Sequence, residues 1–199
     1  MTNDVLAALS PIARTLKWLG VRYYVGGSLA SSVRGLPRTS IDVDLAAELR
    51  PEHVAPLVSS LSSEFYVSEP RVREAVAARR SFNVVHLSTM MKVDVFVSRQ
   101  RPFERELFER LTPEFLDAAG TSMPHPVPRA EDVVLLKLEW FRAGGEVSDR
   151  QWGDVIGVIK VAAQGLDRGY LSRWAAELGV SDLLERALVA SAFEPHGPP

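Results

Sequence analysis

Tyr23-Tyr24-Val25-Gly26-Gly27-Ser28-Leu29-Ala30, followed by Ile41-Asp42-Val43-Asp44-Leu45, is the stretch that decides how this chain is read. In a strand, side chains two residues apart point to the same face. Asp42 and Asp44 therefore share one face, and Ile41, Val43 and Leu45 take the other. A third carboxylate lies inside another apolar strand, Val93-Asp94-Val95-Phe96-Val97. Like charges this close repel, and a small core has no reason to hold them. A divalent cation supplies the reason. Mg²⁺, or Mn²⁺ in its place, takes one or two carboxylates and completes its shell with water and substrate phosphates.

The turn before the carboxylates suits the same chemistry. Residues 21–25 read as a short strand, and residues 29–34 as the start of a helix. Gly26 and Gly27 permit a tight turn and let a phosphate approach the backbone. Ser28 is placed to cap the helix, whose first amides can hold an anion.

Turn, helix, Asp-x-Asp strand and later Asp strand, in that order, resemble the nucleotidyltransferase superfamily typified by the polymerase β palm. The residues that carry the resemblance are Gly26-Gly27-Ser28, Asp42-Val43-Asp44 and Asp94. Arg38-Thr39-Ser40 looks like the basic, hydroxyl-rich run that precedes the paired aspartates in that family. The resemblance covers most of residues 21–98. It implies that Gly26, Gly27, Ser28, Arg38 and Thr39 hold nucleotide phosphates. It implies that Asp42, Asp44 and Asp94 ligate metal, with Asp94 also helping to deprotonate an attacking hydroxyl.

Composition is that of an ordinary globular enzyme domain. Apolar residues make up 46% of 199, enough for a real core. The net charge of −2 lacks the excess of a nucleic-acid coat or a membrane-surface protein. With no cysteine, disulfides, thiol catalysis and zinc–thiolate sites are excluded. Met1-Thr2-Asn3-Asp4 opens no signal-type segment, and no apolar run approaches the ~20 residues of a membrane span. The expectation is a cytoplasmic protein with no membrane partner.

The pattern divides the chain into a catalytic domain at 1–111, a proline-marked linker at 112–130 and a helical subdomain at 131–193. Helices are expected near 5–19, 51–61 and 103–111, strands near 64–68, 82–87 and 92–98, and helices again at 131–142, 149–163, 168–177 and 181–191. Ser148 and Gln151 have capping-box spacing. His125, set between Pro124 and Pro126, reads as a loop residue.

A helix turns about 100° per residue. On that wheel Glu131, Asp132, Glu139 and Arg142 share a polar arc, while Val133, Val134, Leu136, Trp140 and Phe141 oppose it. Lys137 falls inside the apolar arc. It either snorkels to water or meets a phosphate or a carboxylate. Asp154, half enclosed on the next helix, wants a cation, and Lys137 is a candidate. The runs Glu131-Asp132-Val133-Val134-Leu135-Leu136-Lys137-Leu138 and Arg150-Gln151-Trp152-Gly153-Asp154 resemble the helical motifs of AbiEii-type nucleotidyltransferases, toxin components of toxin–antitoxin and phage-defence systems. That resemblance implies a catalytic place for Lys137 and Asp154, and a cognate antitoxin.

The sequence thus implies an α/β fold of the α+β type, a small mixed sheet flanked by helices, with a C-terminal helical bundle. The activity it implies is transfer of a nucleoside monophosphate from an NTP to a hydroxyl on RNA, protein or a small molecule. The alternatives are a phosphotransferase using the same carboxylates, and a non-catalytic nucleotide-binding regulator or antitoxin-like partner.

Overall fold

A computed structural model describes residues 3–37, 42–117, 120 and 123–192. Five strands form one mixed sheet: β1 (Tyr23–Val25), β2 (Asp42–Ala47), β3 (Phe65–Tyr66), β4 (Ser81–His86) and β5 (Lys92–Val97). Their order is β1-β2-β5-β4-β3. Only β2 and β5 run parallel; β1–β2, β5–β4 and β4–β3 are antiparallel. The alternation in β2 and β5 makes one sheet face apolar. Val43, Leu45, Val93 and Val95 are buried there. The α1 helix (Asn3–Trp18) packs against β2 and β5. Its stripe of Val5, Leu9, Ile12 and Leu16 is almost wholly removed from water. Each such side chain contributes about 1.5–3 kcal/mol of burial. The opposite face of β2 and β5 is left for Asp42, Asp44 and Asp94.

The chain divides into two compact units, Met1–Leu29 with Thr39–Pro128, and Ala30–Arg38 with Arg129–Pro199. The first carries the sheet, α1, α3 (Val54–Leu61), α4 (Glu69–Ala78) and α5 (Pro102–Glu109). The second holds α6 (Ala130–Ala143), α7 (Asp149–Ala162), α8 (Arg168–Leu178) and α9 (Ser181–Ala192). The division falls inside α2 (Gly27–Arg34), after Leu29. Within the second unit the segment after α2 is pressed onto α7. A Cβ on Gly35 would stand 2.8 Å from the backbone nitrogen of Val158, so only glycine allows that approach.

The linker and the polar arc of α6 differ from their sequence readings. The stretch expected as a linker carries paired strands, β6 (Thr112–Glu114) and β7 (His125–Val127), with β7 packed on β1. His125 is therefore a fully buried strand residue and not a loop residue. Prolines permit this because each short strand leaves ladder positions that need no N–H. The second difference is the polar arc of α6. Glu131 and Asp132 are buried, and Trp140 is 52% exposed. The first turn of α6 is covered by α8 and its cap, so its carboxylates have fixed donors. Tyr170 donates its hydroxyl to Asp132 at 2.5 Å, and the Asp167 amide donates to Glu131 at 2.9 Å.

His125 Nδ1 lies 3.3 Å from the Tyr23 hydroxyl, and its Nε2 has no hydrogen-bond partner among the described residues. Burial pushes the imidazole below its ordinary value and pushes Tyr23 up to about 12. The unfolded chain then binds a proton that the folded chain refuses. This stabilising contribution is complete above the unfolded pKa of about 6.5 and is lost as pH falls towards the depressed folded value. Urea melts at pH about 7 and about 5.5 should show the loss, and His125→Phe should flatten it.

Candidate active site

The site begins with strand register. Asp44 on β2 stands directly opposite Asp94 on β5, and Asp42 stands opposite Lys92. On the other side of β5, Asp94 is opposite Asn83 of β4. Neighbouring strands are about 4.8 Å apart, and residues in register share a face. Asp44, Asp94 and Asn83 thus form one polar row across three strands, and Asp42 and Lys92 begin the next. The three carboxylates expected to act together are together on one face.

Their mutual repulsion is offset within the same face. Lys92 Nζ lies 2.8 Å from Asp94 Oδ2, with the side chains 44% and 23% exposed. The Lys92 ammonium is held above its ordinary value, first by its hydrogen bond to Asp94 and also by the charges of Asp42 and Asp44. Sequence reasoning missed Lys92 and Asn83. The signal for Lys92 was present: it sits two residues before Asp94 in a strand, the same spacing that joins Asp42 to Asp44.

The glycine turn is stitched to this row. The Gly26 amide donates to the backbone carbonyl of Asp44 at 2.9 Å. Gly27 has φ +55°, and a Cβ there would collide with the Asp44 carboxylate. Glycine is thus required by the carboxylate itself, in addition to any phosphate. The α2 helix opens at Gly27, so Ser28 is its second residue and not its cap. Ser28 is buried at 7% exposure, beside the first amides of the helix. Arg38 and Thr39 lie outside the described residues.

In the second unit, Lys137 and Asp154 meet. Lys137 Nζ is 2.6 Å from Asp154 Oδ2, and the side chains are only 12% and 8% exposed. The ammonium does not snorkel to water; it joins α6 to α7. This matches the pairing that the helical wheel left open.

Among the described residues no three His, Cys, Asp or Glu side chains are already gathered as a metal cage. The chemistry of the face nevertheless fits a hard divalent cation. The nearby donors are carboxylates, adjacent and partly exposed, and one of them is already drawn to a cation. Asp42, Asp44 and Asp94 are the residues that would hold it.

The fold is shared with nucleotidyltransferase-like structures. The chain is similar to an antigenic nucleotidyltransferase-like protein from Paracoccidioides brasiliensis, with TM-score 0.54 and 18% identity over 96% of this chain and 94% of that one. It is also similar to the antibiotic-resistance factor ANT(2'')-Ia, with TM-score 0.53 and 14% identity over 94% of this chain and 97% of that one. No protein-family model matches the chain, and no curated protein matches it in sequence. The likeness is one of architecture: α/β, a five-stranded mixed sheet and a helical C-terminus.

Two substitutions test this geometry without any ligand. Gly27→Ala should cost about 2 kcal/mol or more, from left-handed strain and the displaced Asp44. Gly153→Ala, exposed within α7 with open space around it, should stabilise by about 0.5–1 kcal/mol. Chemical denaturation of the two variants should move in opposite directions. For the ion pair, Lys137→Met should cost roughly 3 kcal/mol, because Asp154 stays in its enclosed site without the ammonium. Lys137→Met with Asp154→Leu should recover most of that loss, as read by a double-mutant cycle.

Proposed function

We propose that this protein is a metal-dependent nucleotidyltransferase, moving a nucleoside monophosphate from an NTP to a hydroxyl acceptor. The observation that carries the reading is the register of Asp44 against Asp94, with Asp42 on the same face and Gly27 packed on the Asp44 carboxylate. Fold alone would not carry it, because one architecture hosts many chemistries. The carboxylate row and the glycine turn packed against it are what give the architecture a reaction.

In this mechanism the first amides of α2, with Ser28, hold the nucleotide phosphates. Arg38 and Thr39 are assigned to the same task. Asp94 accepts the proton of the acceptor hydroxyl. The acceptor oxygen attacks the α-phosphorus, the bond to the β-phosphate oxygen breaks, and pyrophosphate leaves with that electron pair. Asp42, Asp44 and Asp94 would hold Mg²⁺ or Mn²⁺, whose chemistry there is to acidify the hydroxyl and neutralise charge on the leaving group. Lys137 and Asp154 are assigned to the reaction as a pair.

Three acceptors suit this chemistry: RNA, a protein side chain and a small molecule. A structural neighbour described as an antibiotic-resistance factor supports keeping the small molecule among them. The helical motifs around Lys137 and Asp154 support a toxin role with a cognate antitoxin. The cytoplasm suits a protein without cysteine, and no described helix is long and apolar enough to cross a membrane.

Radiolabelled NTPs, incubated with Mg²⁺ and with total RNA, cell protein and small-molecule alcohols in turn, test the reading directly. Labelled acceptor and released pyrophosphate are expected. Transfer of the γ-phosphate instead would identify a phosphotransferase. Asp94→Asn should lose at least about a hundredfold in turnover while still binding NTP. Asp44→Asn should abolish the rise in melting temperature that Mg²⁺ and NTP produce in the wild type. An unchanged rise would remove Asp44 from the site.

A further inference from the structure

Lys92 is a charged group on the carboxylate face that the reaction above does not use. Its ammonium makes a 2.8 Å ion pair with Asp94, and its register partner across β2 is Asp42. Asp44 is opposite Asp94 in the same ladder. A lysine on the face that carries three aspartates is in contact with a carboxylate that a divalent cation would need. Its side chain is 44% exposed, so the ammonium can turn to water with little loss of solvation. The flexible four-carbon stem allows that movement.

We propose that Lys92 is a resident counter-cation of this face. It holds Asp94 beside Asp42 and Asp44 while no divalent cation is bound, and it competes with that cation for Asp94. Lys92 is thus a positioning residue that sets metal affinity. Without its charge the repulsion on Asp94 from the neighbouring carboxylates would lose the 2.8 Å ion pair that offsets it. With it, the face is assembled beforehand, and each entering cation must displace an ammonium. The inference rests on the reading that Asp42, Asp44 and Asp94 hold the cation.

Its test is binding of Mn²⁺ alone, followed by electron paramagnetic resonance of the uncomplexed ion, in nucleotide-free protein. Wild type, Lys92→Met, Lys92→Arg and Asp44→Asn are compared, with circular dichroism to confirm that each is folded. Lys92→Gln replaces the methionine variant if that one aggregates. Lys92→Met should bind Mn²⁺ about tenfold more tightly, because a neighbouring positive charge has been removed. Its melting temperature without metal should fall, and Mn²⁺ should raise it by more than in the wild type. Lys92→Arg, which keeps the charge, should stay within about twofold of wild type. Equal or weaker Mn²⁺ binding by Lys92→Met, with binding still dependent on Asp44, would overturn the role of Lys92 and leave the carboxylate site standing. The same gain in Lys92→Arg as in Lys92→Met would also overturn it, since charge would not then be the cause. If wild type and Asp44→Asn bind Mn²⁺ alike, the carboxylate site itself fails.

Discussion

Carboxylates held side by side across two parallel strands are the constraint around which this structure is arranged. Asp44 and Asp94 face each other in register, and their repulsion grows as water is excluded from between them. Two features make the arrangement tenable. The back of the sheet is a continuous apolar surface under α1, so strand register is fixed by burial and cannot slip to relieve the charges. The front carries Lys92, whose ammonium balances part of the charge. A one-residue slip of β5 would send Asp94 into the core and Val93 and Val95 to solvent. The cost of burying a charge makes that register prohibitive.

The same constraint accounts for the turn. Gly27 lies in left-handed conformation against the Asp44 carboxylate, and the Gly26 amide is bonded to the Asp44 carbonyl. The start of α2 is therefore positioned by the residue that its amides would help to serve. An N-terminal helix dipole beside a carboxylate row is favourable by itself, since the row is negative and the helix start positive. The turn thus has one structural reason and one chemical reason to be where it is, and they agree.

The parts of the fold that were legible in the sequence are those with strong periodicity. Alternation in Asp42–Leu45 and Val93–Val97 exposed both faces of β2 and β5, and the 3.6-residue repeat exposed α1 and α6 to α9. Ser148 caps α7 as its spacing implied, accepting the Gln151 amide at 3.3 Å. What was not legible depended on partners distant in sequence. Glu131 and Asp132 look solvated on a wheel, but α8 and its cap, more than thirty residues on, bury them with hydrogen bonds. His125 sits between prolines and looks like a loop residue, but β1 covers it. A helical wheel assigns one face to water and one to the core, and it fails where a second element covers the polar face.

Within the site, legibility followed the same rule. The aspartates could be grouped because their spacing is local to each strand, whereas pairing Asp44 with Asp94 needs the β2–β5 ladder. Lys92 carried a local signal, but lysine in a strand is read as a solvated edge residue unless its neighbours are known. The ladder changes its meaning. Once Asp42, Asp44 and Asp94 share a face, a lysine on that face is part of the site's charge balance. A carboxylate row without such a cation would be soft and poorly ordered until metal arrived. A row with one is ordered beforehand and gives up some metal affinity for that order. The 2.8 Å contact between Lys92 and Asp94 is what would put this chain in the second class on the reading proposed above.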